Sequence, residues 1–273
     1  MRIYISADME GASGISCPDY VLTDGRLYAA GQRLLTEDVN AAVRGAMDAG
    51  ADEVIVADMH GISGHILAER LDPRALLLAG TPHQPRFPFL DRDTDGMFLL
   101  CYHAMAGTAM ACLEHTMSSR QWHCFRVNGT PYGEFGIDAE IAAECGVPVV
   151  MTSGDDKLCA EAAQWLNGVE TACVKQGLGR QRALCLSPAE GQKRVYEAAR
   201  RAVCRLLAGE HFAMPATPTP AKIAITYKMM PDADAANTFG TRRLDGYTVE
   251  WEHDRLSHFF GGIWADRPEK RRI

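Results

Sequence analysis

Unbroken apolar runs recur through the first 155 residues, each parted from the next by a stretch of helical composition. IYISA (3–7), EVIVAD (53–58), ALLLAG (75–80), MFLLCYH (97–103) and VPVVMTSGDD (147–156) read as strands without a regular polar alternation. A strand that is apolar on both faces has to be covered on both faces, as happens inside a mainly parallel sheet flanked by helices. The intervening segments fit that requirement. Residues 27–49 read as a helix stopped by Gly50, 134–146 as a helical stretch with a glycine stop, and further helices are expected near 157–166 and 188–208. HCFRVNG (123–129) reads as a strand with Asn128-Gly129 as its turn, and another strand falls near 169–174.

The fold class expected is α/β: a three-layer α/β/α arrangement around a mainly parallel or mixed sheet, over residues 1–212. AMPATPTPAK (213–222) is a Pro-rich linker, and KIAITYK (222–228) and YTVEWE (247–252) are strands beyond it. Residues 213–273 are therefore expected as a smaller α+β portion, either separate or packed as one unit with the core.

Charge and cysteine usage narrow the setting. The 273-residue chain carries 28 basic and 35 acidic residues, net −7, with no basic cluster before the short Lys270-Arg271-Arg272 tail, which reads as solvated. That excludes a nucleic-acid footprint. The opening MRIYISADME is strand-like rather than a leader, and no apolar run approaches membrane-spanning length. The nine cysteines form no CxxC pairs and sit mostly in apolar segments, as reduced core thiols do. The expectation is a soluble cytoplasmic protein with no nucleic-acid or membrane partner.

In open α/β sheets, ligands bind beyond the carboxyl ends of the strands. Here those ends are chemically alike. IYISA runs into Asp8-Met9-Glu10, EVIVA into Asp58-Met59-His60, MFLLCY into His103, and VVMTSG into Asp155-Asp156. On extended chain, positions i and i+2 project to the same side, so Asp8 pairs with Glu10 and Asp58 with His60. Two adjacent carboxylates repel unless a cation lies between them or one is protonated. A mixed carboxylate and imidazole shell suits zinc, manganese or a similar divalent ion.

Each residue taken singly has a plainer role. Asp8 and Glu10 could cap or line a loop, His60 and His103 could be satisfied buried imidazoles, and Asp155 and Asp156 could cap the following helix. Asp58 could orient a ligating imidazole or be a solvated acid. Glu134 at a helix start is explained by the helix dipole alone, and His115 lies in a stretch without periodicity. Taken together, convergence at one sheet edge favours a metal site. His65, His83, His123, His211, His253 and His258 have no comparable context and read as surface or packing residues.

The ordered set Asp8-Met9-Glu10-Gly11 with Ser13-Gly14, Asp58-Met59-His60, Tyr102-His103-Ala104, Glu114-His115-Thr116-Met117 and Gly133-Glu134-Phe135-Gly136 resembles the M55 D-aminopeptidases. Gly154-Asp155-Asp156, Val174-Lys175-Gln176 and Leu186-Ser187-Pro188-Ala189 extend the likeness over roughly residues 1–190. The resemblance implies a zinc aminopeptidase with two Zn2+ per subunit, acting on short peptides with an N-terminal D-residue. It implies that Asp8 bridges both ions, that Glu10, His60, His103 and Glu134 complete the shells, and that His115 is catalytic. A hydroxide bridging the two metals would attack the scissile carbonyl, with His115 moving protons or stabilising the oxyanion. It further implies a homo-oligomeric ring. The C-terminal part matches weakly, and ADRPEKRRI (265–273) has no counterpart.

Three other readings fit the residues less well. A two-metal phosphoesterase would need a glycine-rich phosphate cradle, for which Gly11-Ala12-Ser13-Gly14 is the one faint candidate. A non-catalytic peptide-binding component does not call for convergent ligands. A serine hydrolase lacks its G-x-S-x-G motif.

Overall fold

The computed structural model describes residues 1–80 and 84–266; His83 and the Lys270-Arg271-Arg272 tail lie outside them. The chain runs β1 (Arg2–Ala7), α1 (Tyr28–Ala49), β2 (Glu53–Asp58), β3 (Ala75–Leu78), β4 (Gly96–Leu100), β5 (Trp122–Val127) and β6 (Thr130–Pro131). It continues through α2 (Glu134–Glu144), β7 (Val149–Asp155), α3 (Asp156–Trp165), β8 (Glu170–Gly179), β9 (Arg182–Cys185) and α4 (Pro188–Leu207). β10 (Ala221–Tyr227), α5 (Met230–Ala236), β11 (Arg242–Arg243), β12 (Thr248–His253) and α6 (Leu256–Phe259) follow.

Seven strands form one sheet in the order β3-β2-β1-β4-β7-β8-β9, parallel except for the edge strand β9. β4 and β7 are buried throughout and β1 in all but its first residue, as their unbroken apolar composition requires. The chain builds outward from β1 to β2 and β3, then returns to lay β4 on the other side of β1. That reversal opens a crevice at the carboxyl ends of β1 and β4.

One face of this sheet packs against α1 and α4, through Leu35, Val39 and Val43 of α1 and Val195, Ala199 and Val203 of α4. α1 stops at Gly50, whose φ of 111° is the left-handed conformation that a helix end favours. The opposite face carries more than helices. α2 and α3 share it with a second, antiparallel sheet in the order β11-β12-β10-β5-β6. Phe125 and Val127 of β5, Ile223 and Ile225 of β10 and Val249 of β12 fill the core on that side. The strand at 122–127 thus leaves the first sheet and pairs with the strands beyond residue 213. β10 alternates buried with less buried residues along its length, the mark of a strand with one face on the core.

α2 is fixed to the parallel sheet by a buried polar network. Arg86 binds both oxygens of Asp138, Tyr102 Oη donates to Asp138 Oδ2 at 2.6 Å, and Ser6 Oγ lies 2.7 Å from Tyr102 Oη. Asp138 is one helical turn beyond Glu134, so this network sets where the first turn of α2 sits. Asp138→Ala removes the carboxylate paired with the largely covered Arg86 guanidinium. The expected cost is about 3–5 kcal/mol of folding stability, read as a lowered denaturation midpoint in urea.

Candidate metal centre

Backbone pairing brings three loops to one level. Ala7 of β1 stands opposite Asp58 of β2 and Leu100 of β4. The pairing runs one step further: Asp8 N donates to Leu100 O at 2.9 Å and Met59 N to Ala7 O at 2.8 Å. Asp8, His60 and His103 follow directly. Glu10 is turned back toward them because Gly11 N donates to Cys101 O at 2.7 Å. At Gly11 a Cβ would lie 2.0 Å from Tyr102 O, so no other residue fits there.

The structure brings together all six residues that the family resemblance implies. His60 Nδ1 lies 3.1 Å from Asp8 Oδ1 and 3.1 Å from Glu10 Oε2. His103 Nε2 lies 3.4 Å from Asp8 Oδ2 and 3.3 Å from Glu134 Oε1. His115 Nε2 lies 3.6 Å from Glu134 Oε1, and its ring stacks on His103 with centroids 3.9 Å apart. Asp8, Glu10, His103 and Glu134 are buried, while His60 and His115 are partly exposed. Asp8 therefore faces two imidazoles, one through each oxygen.

The other ring nitrogen of each histidine decides what these contacts are. His60 Nε2 is 3.1 Å from Val21 O, His103 Nδ1 is 3.1 Å from Ala104 O, and His115 Nδ1 is 2.9 Å from Leu113 O. A carbonyl only accepts, so each of these nitrogens carries the hydrogen. In a neutral ring the remaining nitrogen then presents a lone pair, and in all three it faces carboxylate oxygens. Lone pairs meeting lone pairs need a cation or protons between them. Asp8 Oδ2, Glu10 Oε2 and His103 Nε2 are buried without a hydrogen bond, as atoms meant for an ion are. Two groups of donor atoms within 4.8 Å of one another could each hold a metal: Asp8, Glu10 and His103, and His103, Glu134 and His115. The donor set suits zinc, and backbone carbonyls orient each ring in the manner of a metal-ligating histidine.

The electrostatics point the same way. Burial pulls the His60 and His103 rings down, but the surrounding carboxylates outweigh it: His60 is held well above the usual range and His103 at about 10. Burial, then Glu10, pushes Asp8 up to about 7. Burial also raises Glu134, yet His103 and His115 win and hold it at about 2. Burial and the nearby His103 lower His115, so its ring is the neutral one of the three.

Neighbouring residues have definite tasks. Asp58 Oδ2 accepts from the backbone N–H groups of Gly64, His65 and Ile66 and so shapes the loop behind His60. His65 is buried and packs edge-on against the His60 ring at 4.6 Å. Asp155 caps α3 through Lys157 N and Leu158 N, as expected, and its other oxygen accepts from Cys112 N at 2.8 Å. Glu134 accepts from Met117 N at 2.7 Å, a tighter role than a helix-dipole residue needs. The faint phosphate cradle is spent: the N–H groups of Gly11, Ala12, Ser13 and Ile15 bond to Cys101 O, Met9 O, Asp38 Oδ2 and Ala12 O. Lys175, Asp38 and Asp138 are buried supports, and Arg86 a half-buried one, to which the sequence reading gave no role. A lone lysine within the apolar run TACVKQG was the one signal available for them.

A metal must displace the protons that His60 and His103 attract. Because their folded values lie above the ordinary histidine value of about 6.5, zinc uptake at pH 7 releases protons, and affinity rises with pH. Calorimetric titration of metal-free protein in buffers of different ionisation heat checks this. A buffer-independent heat with no pH dependence contradicts it.

Residues 1–265 match the family model described as Peptidase M55, D-aminopeptidase. A D-aminopeptidase of Bacillus subtilis (strain 168) is 36% identical over 202 residues, covering 72% of this chain and 72% of that protein. The solved structure of the Zn-dependent D-aminopeptidase DppA from Bacillus subtilis, described as a self-compartmentalizing protease, superposes with a TM-score of 0.89 at 31% identity. It covers 95% of this chain and 94% of that one.

Proposed function

The chain belongs to the M55 family of D-aminopeptidases, and we propose that it is a zinc-dependent aminopeptidase releasing an N-terminal D-residue from short peptides through a centre of two ions. The observation that carries this is the convergence of one ring nitrogen from each of three imidazoles on shared carboxylates. Asp8, with one oxygen toward His60 and the other toward His103, would help to hold both ions. Glu10 and His60 would complete one shell, and His103 and Glu134 the other.

Zinc held there supplies a polarised substrate carbonyl and a water whose pKa falls to about 7. The chain's own part is to place and move protons. His115 keeps its Nδ1 hydrogen on Leu113 O, which leaves Nε2 free to accept a proton near the ions and return it to the leaving amine. The downward shift of its pKa suits a base more than an oxyanion donor. Glu134, between His103 and His115, holds the two rings in their stacked relation.

The self-compartmentalizing relative supports an assembly of several chains, and a ring is the form proposed. Exposed Met229, Met230, Leu244 and Tyr247 and the fully exposed Phe239 offer apolar surface for such contacts. Among the described residues no helix is long and apolar enough to cross a membrane. Nine free thiols support a reducing cytoplasm.

Metal content and hydrolysis measured together test the proposal, with D-Ala and L-Ala p-nitroanilides before and after chelation and zinc return. Two zinc ions per chain and zinc-restored cleavage of the D-substrate are expected; phosphoester hydrolysis without amide cleavage refutes it. His115→Ala is expected to keep both ions and lose roughly 10²–10⁴-fold in kcat. Loss of an ion in that variant would make His115 a ligand instead.

A further inference from the structure

Lys175 lies within β8, 2% exposed, in a strand separated from β1 by β4 and β7. A buried ammonium is costly unless every proton is satisfied. Here all three are. Nζ donates to Glu10 O at 2.6 Å, to Ala12 O at 3.0 Å and to Ile15 O at 2.6 Å. The three acceptors belong to one loop, the one that leaves β1 and carries Glu10.

Two further bonds tie that loop to other elements: Ser13 N donates to the buried Asp38 Oδ2 at 2.8 Å, and Gly11 N to Cys101 O. Ala12 and Ile15 are buried in the core, and the turn bonds Ala12 N to Met9 O and Ile15 N to Ala12 O are local. Residues 10–15 contribute no helix or strand, so nothing repetitive fixes their backbone. Carbonyls of residues 10, 12 and 15 would not converge on one point without a donor there, because their negative ends repel. We infer that Lys175 is a positioning residue of the metal centre: its ammonium gathers this loop and thereby aims the Glu10 carboxylate at His60 and Asp8. All three ammonium protons point at backbone, so Lys175 acts on the ions only through the loop.

The inference rests on the proposed two-ion reading and makes a claim that reading does not. Of the two ions, the one held by Glu10, His60 and Asp8 depends on Lys175, and the one at His103 and Glu134 does not. Lys175→Met keeps length and apolar bulk without the donors. Lys175→Arg keeps the charge, but its planar fork cannot serve three carbonyls gathered round one nitrogen. Val203→Ala, in the remote α1–α4 core, supplies a purely structural loss for comparison.

The experiment is a zinc competition titration of each metal-free protein against a chromophoric chelator, with kcat and KM recorded at low and saturating zinc. Wild type is expected to bind two ions tightly. Lys175→Met is expected to keep one and to bind the other about 10–100-fold more weakly, with kcat regained in excess zinc and KM little changed. Lys175→Arg should behave the same way, and it decides the matter if the methionine variant is insoluble. Two wild-type affinities in both lysine variants overturn the inference. So does an equal weakening in Val203→Ala, which would trace the effect to global stability. A wild-type protein that binds no zinc overturns the two-ion reading first, and the role of Lys175 with it.

Discussion

Parallel pairing of β1 with β2 on one side and β4 on the other is the constraint on which the site depends. It sets Ala7, Asp58 and Leu100 level, so three loops leave the sheet at one height. A slip of one residue in either pair would turn every side chain to the opposite face and send Asp8 or His60 into the core. The register is secured by burial on both sheet faces, with Ile3 and Ile5 packed toward α1 and α4 and Tyr4 toward the second sheet. The same apolar pattern that makes the sheet fold therefore fixes the spacing of the chemical groups at its edge.

What gathers at that edge persists only with protons or a cation among its carboxylates. Asp8, Glu10 and Glu134 lie close together in a buried space, with one ring nitrogen from each of three imidazoles turned toward them. Backbone carbonyls at Val21, Ala104 and Leu113 hold those rings so that these nitrogens cannot turn away. The Arg86–Asp138–Tyr102–Ser6 network under α2 and the Lys175 contacts under the Glu10 loop oppose the strain by rigidity. Such supports are valuable where a repulsive arrangement has to persist until a cation enters, since a looser pocket would relax by rotating its carboxylates apart.

How much of this the sequence disclosed follows from how local each signal is. Asp8, Glu10, His60 and His103 could be found because each lies within three residues of an apolar strand end, and strand direction says where that end points. Glu134 and His115 could not. Glu134 begins a helix, where an acid is ordinary, and His115 sits in a segment without periodicity; both came from likeness to a family. The parallel sheet was legible through its unbroken apolar runs. The second sheet was not, because alternation in 122–127 and 221–227 reveals a half-covered strand without naming its partner. β9 escaped for a related reason: RALC is a four-residue edge strand that exists only by pairing with β8. Lys175 and Asp138 were invisible as supports, since their partners lie 160 or more and 36 or more residues away.

The irregular segment around His115 has its own logic, and β8 and β9 supply it. Met110, Leu113 and Met117 have φ of 61°, 57° and 59°, a conformation costly for side chains of that size. The segment is held there from outside. Leu113 N donates to Arg180 O at 2.8 Å, the Arg180 guanidinium binds Glu114 through both its carbonyl and its carboxylate, and Cys112 N is held by Asp155. Arg180 belongs to the turn between β8 and β9, and Lys175 to β8 itself, so one hairpin steadies both the Glu10 loop and the His115 loop. Glu134 closes the arrangement from the other side by accepting from Met117 N while facing His103 and His115. One carboxylate thus joins the place where an ion would sit to the place where a proton would move. The position of His115 relative to His103 and Glu134 is set by long-range contacts to a hairpin and a helix end, which is why no local pattern in the sequence could announce it.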